Sequence, residues 1–179
     1  MHLLRAAPKK TAKAKKITLM GSGAILREVI AGADLLAKDF GIEADIWSVT
    51  SFTELRREAE DCERWNMLHP METPRVPYVE QALAARGGGP VVASTDYVKM
   101  FANQIRPYVP GRYKVLGTDG FGRSDFRSRL RSFFEVDRHF VAVAALKALA
   151  DDQLLPNKTV ASAIQKYQID PAKADPMRV

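Results

Sequence analysis

A single cysteine, Cys62, is all the thiol chemistry this sequence offers. That excludes an internal disulfide and any zinc site built from several cysteines. Histidine is scarce as well. His2, His69 and His139 fall in different parts of the chain, never at a spacing that puts two ligands on one helix or turn, so no metal site is expected. No apolar run approaches the ~18 residues of a membrane span, and residues 1–16 lack the apolar core of a secretory signal. There is no P-loop for a nucleotide and no Gly-x-Ser-x-Gly elbow for a serine nucleophile. The expectation is a cytoplasmic protein without a membrane partner.

Acidic residues are missing from one place in particular. The first 16 residues hold Arg5, Lys9, Lys10, Lys13, Lys15 and Lys16 and no acid. The chain has 27 basic residues in all, and those outside this opening equal the 21 acidic ones. The net charge of +6 therefore belongs to one short segment. A nucleic-acid domain carries a basic face interleaved with aromatics; a Lys/Ala/Thr stretch reads instead as a solvated loop. No nucleic-acid partner is expected.

What is present is enough for one folded domain: 179 residues, 46% of them hydrophobic and 27% charged. Short apolar runs alternate with helical periods. Ile17 to Met20 reads as a strand that ends at Gly21-Ser22-Gly23. A helix follows through Ile25, Val29, Ala33, Leu36 and Phe40, with Gly41 as its stop. Ala44 to Val49 is the next strand, and Trp47 in its middle should pack under helices. Ser51 and Glu54 make a capping-box pattern for a helix with Phe52, Leu55, Ala59 and Cys62 on its apolar side. That placement predicts a buried, slowly reacting thiol.

Residues 66–77 contain three prolines and read as irregular. A short helix with Pro77 in its first turn should close at Gly87-Gly88-Gly89. Val91 to Ser94 and Tyr113 to Leu116 are two more strands. Asp96 is expected to cap the helix between them, Asp125 to start a helix carrying Phe126, Asp137 to cap a well-buried helix, and Asn157 to cap the last one. Alternating strands and helices predict a mostly parallel sheet covered on both faces. The turns after Met20, Val49, Ser94 and Leu116 then share one edge, where ligands and partners dock in open α/β sheets.

Two features stand at that edge. Gly21-Ser22-Gly23 joins a strand to a helix and could cradle a phosphate, but the dinucleotide pattern wants a further glycine where Leu26 stands. A tight turn is the plainer reading, and a nucleotide site is the weakest of the functional alternatives. Gly117-Thr118-Asp119-Gly120-Phe121-Gly122-Arg123-Ser124 is the more informative segment. Its glycines permit close approach of a partner. Arg123, Arg127, Arg129, Arg131 and Arg138 come with or after it and suit carboxylates or phosphates, unless they pair with Asp119, Asp125, Glu135 and Asp137. His69, in the proline-rich stretch, could carry a proton or simply hold a local hydrogen bond.

Three stretches resemble one family closely: residues 19–41; residues 48–55 with 61–70, containing CERWNMLHP; and residues 93–97 with 116–125, containing LGTDGFGRSD. They resemble the C-terminal domain of the homodimeric E1 component of pyruvate dehydrogenase, of the transketolase-like superfamily, over essentially the whole chain. The resemblance implies a three-layer α/β/α sandwich on a mixed five-stranded sheet, mostly parallel with one antiparallel edge strand. Four strands are found in the helical series, so the fifth should be His2-Leu3-Leu4-Arg5, with residues 8–16 a hairpin-like connection. Residues 1–16 would be the edge strand and its basic connection, 17–169 the α/β domain and 170–179 an extended tail.

The resemblance also implies a chemistry. The full enzyme decarboxylates pyruvate on thiamine diphosphate and Mg2+, then reductively acetylates the lipoyl group of the E2 dihydrolipoyl acetyltransferase. The family's diphosphate–magnesium motif is Gly-Asp-Gly with a downstream asparagine and lies in an upstream domain; here Asp119-Gly120 is preceded by Thr118. No catalytic, cofactor-binding or metal residue is therefore carried over, and no cofactor is expected to bind this chain alone. The implied partners are the upstream E1 domains, a second E1 subunit and E2. The candidate interface is Asp119, Phe121, Gly122, Arg123 and Ser124. An alternative is a stand-alone assembly module that pairs with E1-like or E2 partners.

Overall fold

In a computed structural model, the structure describes residues 1–8 and 16–179. Most of the expected hairpin-like connection, residues 9–15, lies outside the described residues. The sheet has five strands: β1 (His2–Arg5), β2 (Lys16–Gly21), β3 (Glu43–Ser48), β4 (Val91–Ser94) and β5 (Tyr113–Leu116). Their order in space is β1-β3-β2-β4-β5. β1 runs antiparallel to β3, with Leu3 opposite Trp47, and every other pairing is parallel. This is the mixed sheet with one antiparallel edge strand that the resemblance implies.

Helices cover both faces. On one side lie α1 (Leu26–Phe40), α6 (Arg138–Asp151) and α7 (Asn157–Lys166), packed on Leu19, Ile46 and Val92. On the other lie α2 (Phe52–Leu68), α3 (Tyr78–Ala84) and α4 (Lys99–Asn103), over Met20, Trp47 and Ala93. A seventh helix, α5 (Arg127–Phe133), has no buried residue and sits at the rim. β2 is buried on both faces, as a central parallel strand must be.

Local signals decide most boundaries. Gly41 ends α1 in the left-handed region at φ 64°, with its N–H on the Ala37 carbonyl and that of Ile42 on Leu36. Ser51 caps α2 by accepting from the Glu54 N–H at 3.1 Å. The Glu54 carboxylate does not complete the box; it takes Arg57 instead. Asp137 caps α6 through the N–H groups of His139 and Phe140, and that helix is buried nearly all round.

Five expectations need correction. α2 runs on to Leu68, into the stretch read as irregular, because the first proline there is Pro70; beyond the helix the Asn66 side chain clasps the Arg75 backbone at both N–H and carbonyl. Pro77 precedes α3 rather than forming its first turn. Asp96 does not cap α4, which begins three residues later. Phe126 precedes α5 and is 77% exposed. Pro156, not Asn157, holds the cap position of α7. Residues 170–179 carry no helix or strand and make two turns, Lys173 N–H to Asp170 and Arg178 N–H to Asp175.

Candidate functional site

The four parallel strands end together, and their connections are stitched side to side. Ser22 donates its N–H to the Ser94 carbonyl, and its hydroxyl meets that of Thr95 at 2.8 Å. Thr95 N–H reaches Leu116, and Thr118 N–H reaches Tyr97. Two aspartates then bridge between connections. Asp96, from the β4 end, accepts the Ala24 N–H at 3.1 Å. Asp119, from the β5 end, accepts the Lys99 N–H at 2.8 Å at the start of α4. Each carboxylate satisfies the helix start of a neighbouring segment rather than its own.

That exchange decides the Gly21-Ser22-Gly23 question. A methyl group on Gly23 would sit 2.3 Å from Asp96 Oδ1. The place where a phosphate would rest is filled by a protein carboxylate, so this turn does not fit a nucleotide phosphate.

The loop 117–124 is built by close contacts on its inner side. A methyl group on Gly117 would lie 2.7 Å from the Tyr97 carbonyl oxygen. One on Gly120, at φ 102°, would lie 2.4 Å from that of Pro176. Gly122 has open space around it, so the chain's own packing does not demand a glycine there. Of the five candidate interface residues, Asp119 is occupied with Lys99. Phe121 is 81% exposed, and Gly122, Arg123 and Ser124 are exposed beside it. The Arg123 guanidinium lies over the Phe133 ring, 4.5 Å from its centroid, and not on Asp119 or Asp125.

The other arginines divide by what they touch. Arg129 reaches Asp125 at 4.0 Å. Arg131 and Arg138 both bind Glu28 of α1, at 2.7 and 3.0 Å. Burial by itself would raise the Glu28 carboxyl, but the hydrogen bonds and charges of Arg138 and Arg131 outweigh it and hold it below its ordinary value. The sequence reading offered Asp119, Asp125, Glu135 and Asp137 as partners and missed Glu28. A second buried acid was missed as well. Asp45 of β3 is fully buried and accepts from Ala7 N–H, Arg86 and Lys16. In both cases the available signal was an acid set inside an apolar stripe.

Arg123, Arg127 and Arg131 line one cleft of about 380 Å³ between the loop and α5. Ile25, Leu130, Phe134 and Val136 give it an apolar floor. His69 lies elsewhere, stacked on Trp65 at 4.4 Å with its Nδ1 at the Trp65 carbonyl, as a local hydrogen-bond partner would. Cys62 is buried, and burial together with Glu58 raises its thiol. Among the described residues no group of three or more His, Cys, Asp or Glu could hold a metal ion. Asp119 is spent on the start of α4, so the Asp-Gly pair does not fit a metal-bridged diphosphate.

Against known proteins, the model of the transketolase-like TK C-terminal domain matches residues 4–137. The pyruvate dehydrogenase E1 component of Cupriavidus necator is 59% identical over 170 residues, 95% of this chain and 19% of that protein. That of Pseudomonas aeruginosa is 58% identical over 178 residues, 99% and 20% respectively. That of Escherichia coli K12 is 58% identical over 162 residues, 90% and 18%. This chain thus spans about a fifth of the length of these relatives. Among solved structures, the inactive beta4 tetramer of a split-gene transketolase superposes with a TM-score of 0.51 at 16% identity, over 76% of this chain and 40% of that one. The chain belongs to the transketolase-like C-terminal domain family, and nearly its whole length matches the C-terminal region of pyruvate dehydrogenase E1 components.

Proposed function

We propose that this chain is the C-terminal part of a pyruvate dehydrogenase E1 component and serves that enzyme as a supporting and contact domain, not as its catalytic centre. The observation that carries the reading is identity near 58% over nearly the whole chain, combined with coverage of about a fifth of each relative. In the complete enzyme, thiamine diphosphate and Mg2+ would supply the decarboxylation of pyruvate, and the two-carbon unit would pass to the lipoyl group of E2. The residues of this chain would contribute no ligand to that cofactor. The division into an edge strand with basic connection (1–16), an α/β body (17–169) and a tail (170–179) belongs to the same reading.

The contact surface in this reading is the outer side of loop 117–124. Phe121 stands in solvent, and Gly122 and Ser124 leave room for an approaching backbone. Arg123 is poised on Phe133 with its guanidinium edge available to a carboxylate. Aromatic and arginine side chains of this kind dominate protein interfaces.

Calorimetry with thiamine diphosphate and Mg2+, with a pyruvate-dependent dye-reduction assay, tests the first half on the 179-residue chain. No saturable binding and no turnover above blank are expected; micromolar binding would retire the reading. The second half is tested by Arg123→Ala in a longer E1 chain that contains this segment. Assembly or complex flux should fall while the melting temperature holds.

A further inference from the structure

The cleft behind loop 117–124 holds more positive charge than the chain itself uses. Arg127 and Arg131 lie one helical turn apart on α5 and share a face. Arg123 enters from the loop, and all three border the cleft. Arg131 is anchored by Glu28, yet that single carboxylate also serves Arg138, so one anion answers two cations. Among the described residues Arg127 has no hydrogen bond or ion pair, and Arg123 touches only a ring. The one acid bordering the cleft is Asp96, and it accepts the Ala24 N–H.

The rest of the lining is apolar or backbone. Ile25, Leu130, Phe134 and Val136 form the floor, and Gly120 and Gly122 bring main chain to the mouth. At about 380 Å³ the space matches sites that enclose small organic molecules. Phe121 is not among the lining residues, whereas Gly122 and Arg123 are, so the outward contact surface and this cleft share those two residues, and Arg127 belongs to the cleft alone.

We propose that the cleft binds a small organic oxyanion whose apolar body lies on the Ile25–Leu130–Phe134 floor and whose charged end is gripped by Arg127 and Arg123. Guanidinium groups take planar or tetrahedral oxyanions through paired N–H donors. Arg131, paired with Glu28 at 2.7 Å, completes the basic wall of the cleft. The inference does not depend on the reading of the chain as part of E1; the two share Arg123, and Arg127, which only the cleft uses, tells them apart.

The test is a heteronuclear NMR titration of the chain with three probes: inorganic phosphate, phenyl phosphate and benzoate. Phenyl phosphate should saturate, with shifts confined to residues 117–136 and to Ala24, Ile25 and Asp96. It should bind about tenfold more tightly than inorganic phosphate, because the ring buries area on the floor. Phenyl phosphate tighter than benzoate marks the natural ligand as a phosphate, and the reverse order marks it as a carboxylate; both orders support the site. Arg123→Ala with Arg127→Ala should weaken every probe at least about tenfold. Arg127→Lys keeps the charge without the planar fork and should weaken phenyl phosphate by a smaller factor. Arg129→Ala, outside the cleft, should change nothing. Linear shifts without saturation for all three probes, or equal binding by the double variant, would overturn the proposal. So would saturating shifts mapped to another face.

Discussion

The two ends of the same sheet treat charge in opposite ways. At the amino end, Asp45 is fully buried and answered by four donors: Ala7 N–H at 2.7 Å, Lys16 Nζ at 2.6 Å, and Arg86 Nε and Nη2 at 3.1 and 2.9 Å. The Lys16 ammonium also reaches the Arg86 carbonyl. The charges of this cluster are consumed in holding β1, β2 and the turn after α3 together. At the carboxyl end, Glu28 answers two arginines while Arg127 is left over. Each end sets one buried carboxylate against two cations; where both cations are held, as at the amino end, the cluster reads as architecture. At the carboxyl end a further arginine, Arg127, stands beside an open cleft and a loop with an exposed aromatic, and that surplus reads as a place where something else is meant to bind.

The largest test of this contrast is Asp45→Ala. It removes the carboxylate that Lys16 and Arg86 share, and breaking one partner of a buried pair costs about 3–5 kcal/mol. Urea unfolding should show a large drop in midpoint with an unchanged slope. A loss below ~1 kcal/mol would mean the amino end is not held by this cluster.

Glu28→Gln should cost less, about 2 kcal/mol, since Arg138 is half exposed and can turn to water. The two carboxylates also share a pH signature. Burial disfavours ionisation of each, but the surrounding cations and N–H donors prevail and hold both below their ordinary values. The folded state therefore releases these protons more readily than the unfolded chain does. Their stabilisation is complete above the unfolded carboxylate range, at about pH 4, and is lost as pH falls through the lower folded values. Acid titration of the melting temperature should show this decline in the native chain and a shallower one in Glu28→Gln. Parallel curves would exclude Glu28 from the acid limb.

Asp119→Ala removes the acceptor at the start of α4 and should cost about 1 kcal/mol. It also frees the loop from Lys99, so amide exchange at residues 117–124 should quicken more than elsewhere. Uniform exchange across the domain would argue that the loop is held from its other side. Arg123→Ala is the smallest: its stability change should lie within about 0.5 kcal/mol, because the side chain is exposed and has only a ring contact. A clear drop in melting temperature would move Arg123 from the binding side of the comparison to the structural side.

The contrast also explains what the sequence made readable. Glycine stops, the Ser51 and Asp137 caps and the alternation of strand and helix act within a few residues, and those were read correctly. The antiparallel β1 came through resemblance; four residues carry too short a pattern to prove a strand. The edge holding the cleft followed from the parallel order of the strands. What stayed hidden were partnerships at a distance. Arg131 meets Glu28 across 103 positions and Arg86 meets Asp45 across 41, and no local rule pairs them. Asp96 reads as a helix-start residue and Asp119 as part of the loop, but each serves the other side of the edge. Which arginine is left over is decided by Glu28, which takes Arg131 and Arg138 from a distant helix.

The contact between Gly120 and Pro176 ties the last stretch of chain to the loop that borders the cleft. Pro176 is buried, and its carbonyl fills the space a side chain at position 120 would need. Two residues before that turn begins at Asp175, Lys173 donates to the Phe133 carbonyl at the end of α5. Exopeptidase digestion from Val179 inward would therefore act as a timed release: trimming would first unseat the loop at Pro176 and then, on passing Lys173, untether α5. A label at either place should report the two events in that order.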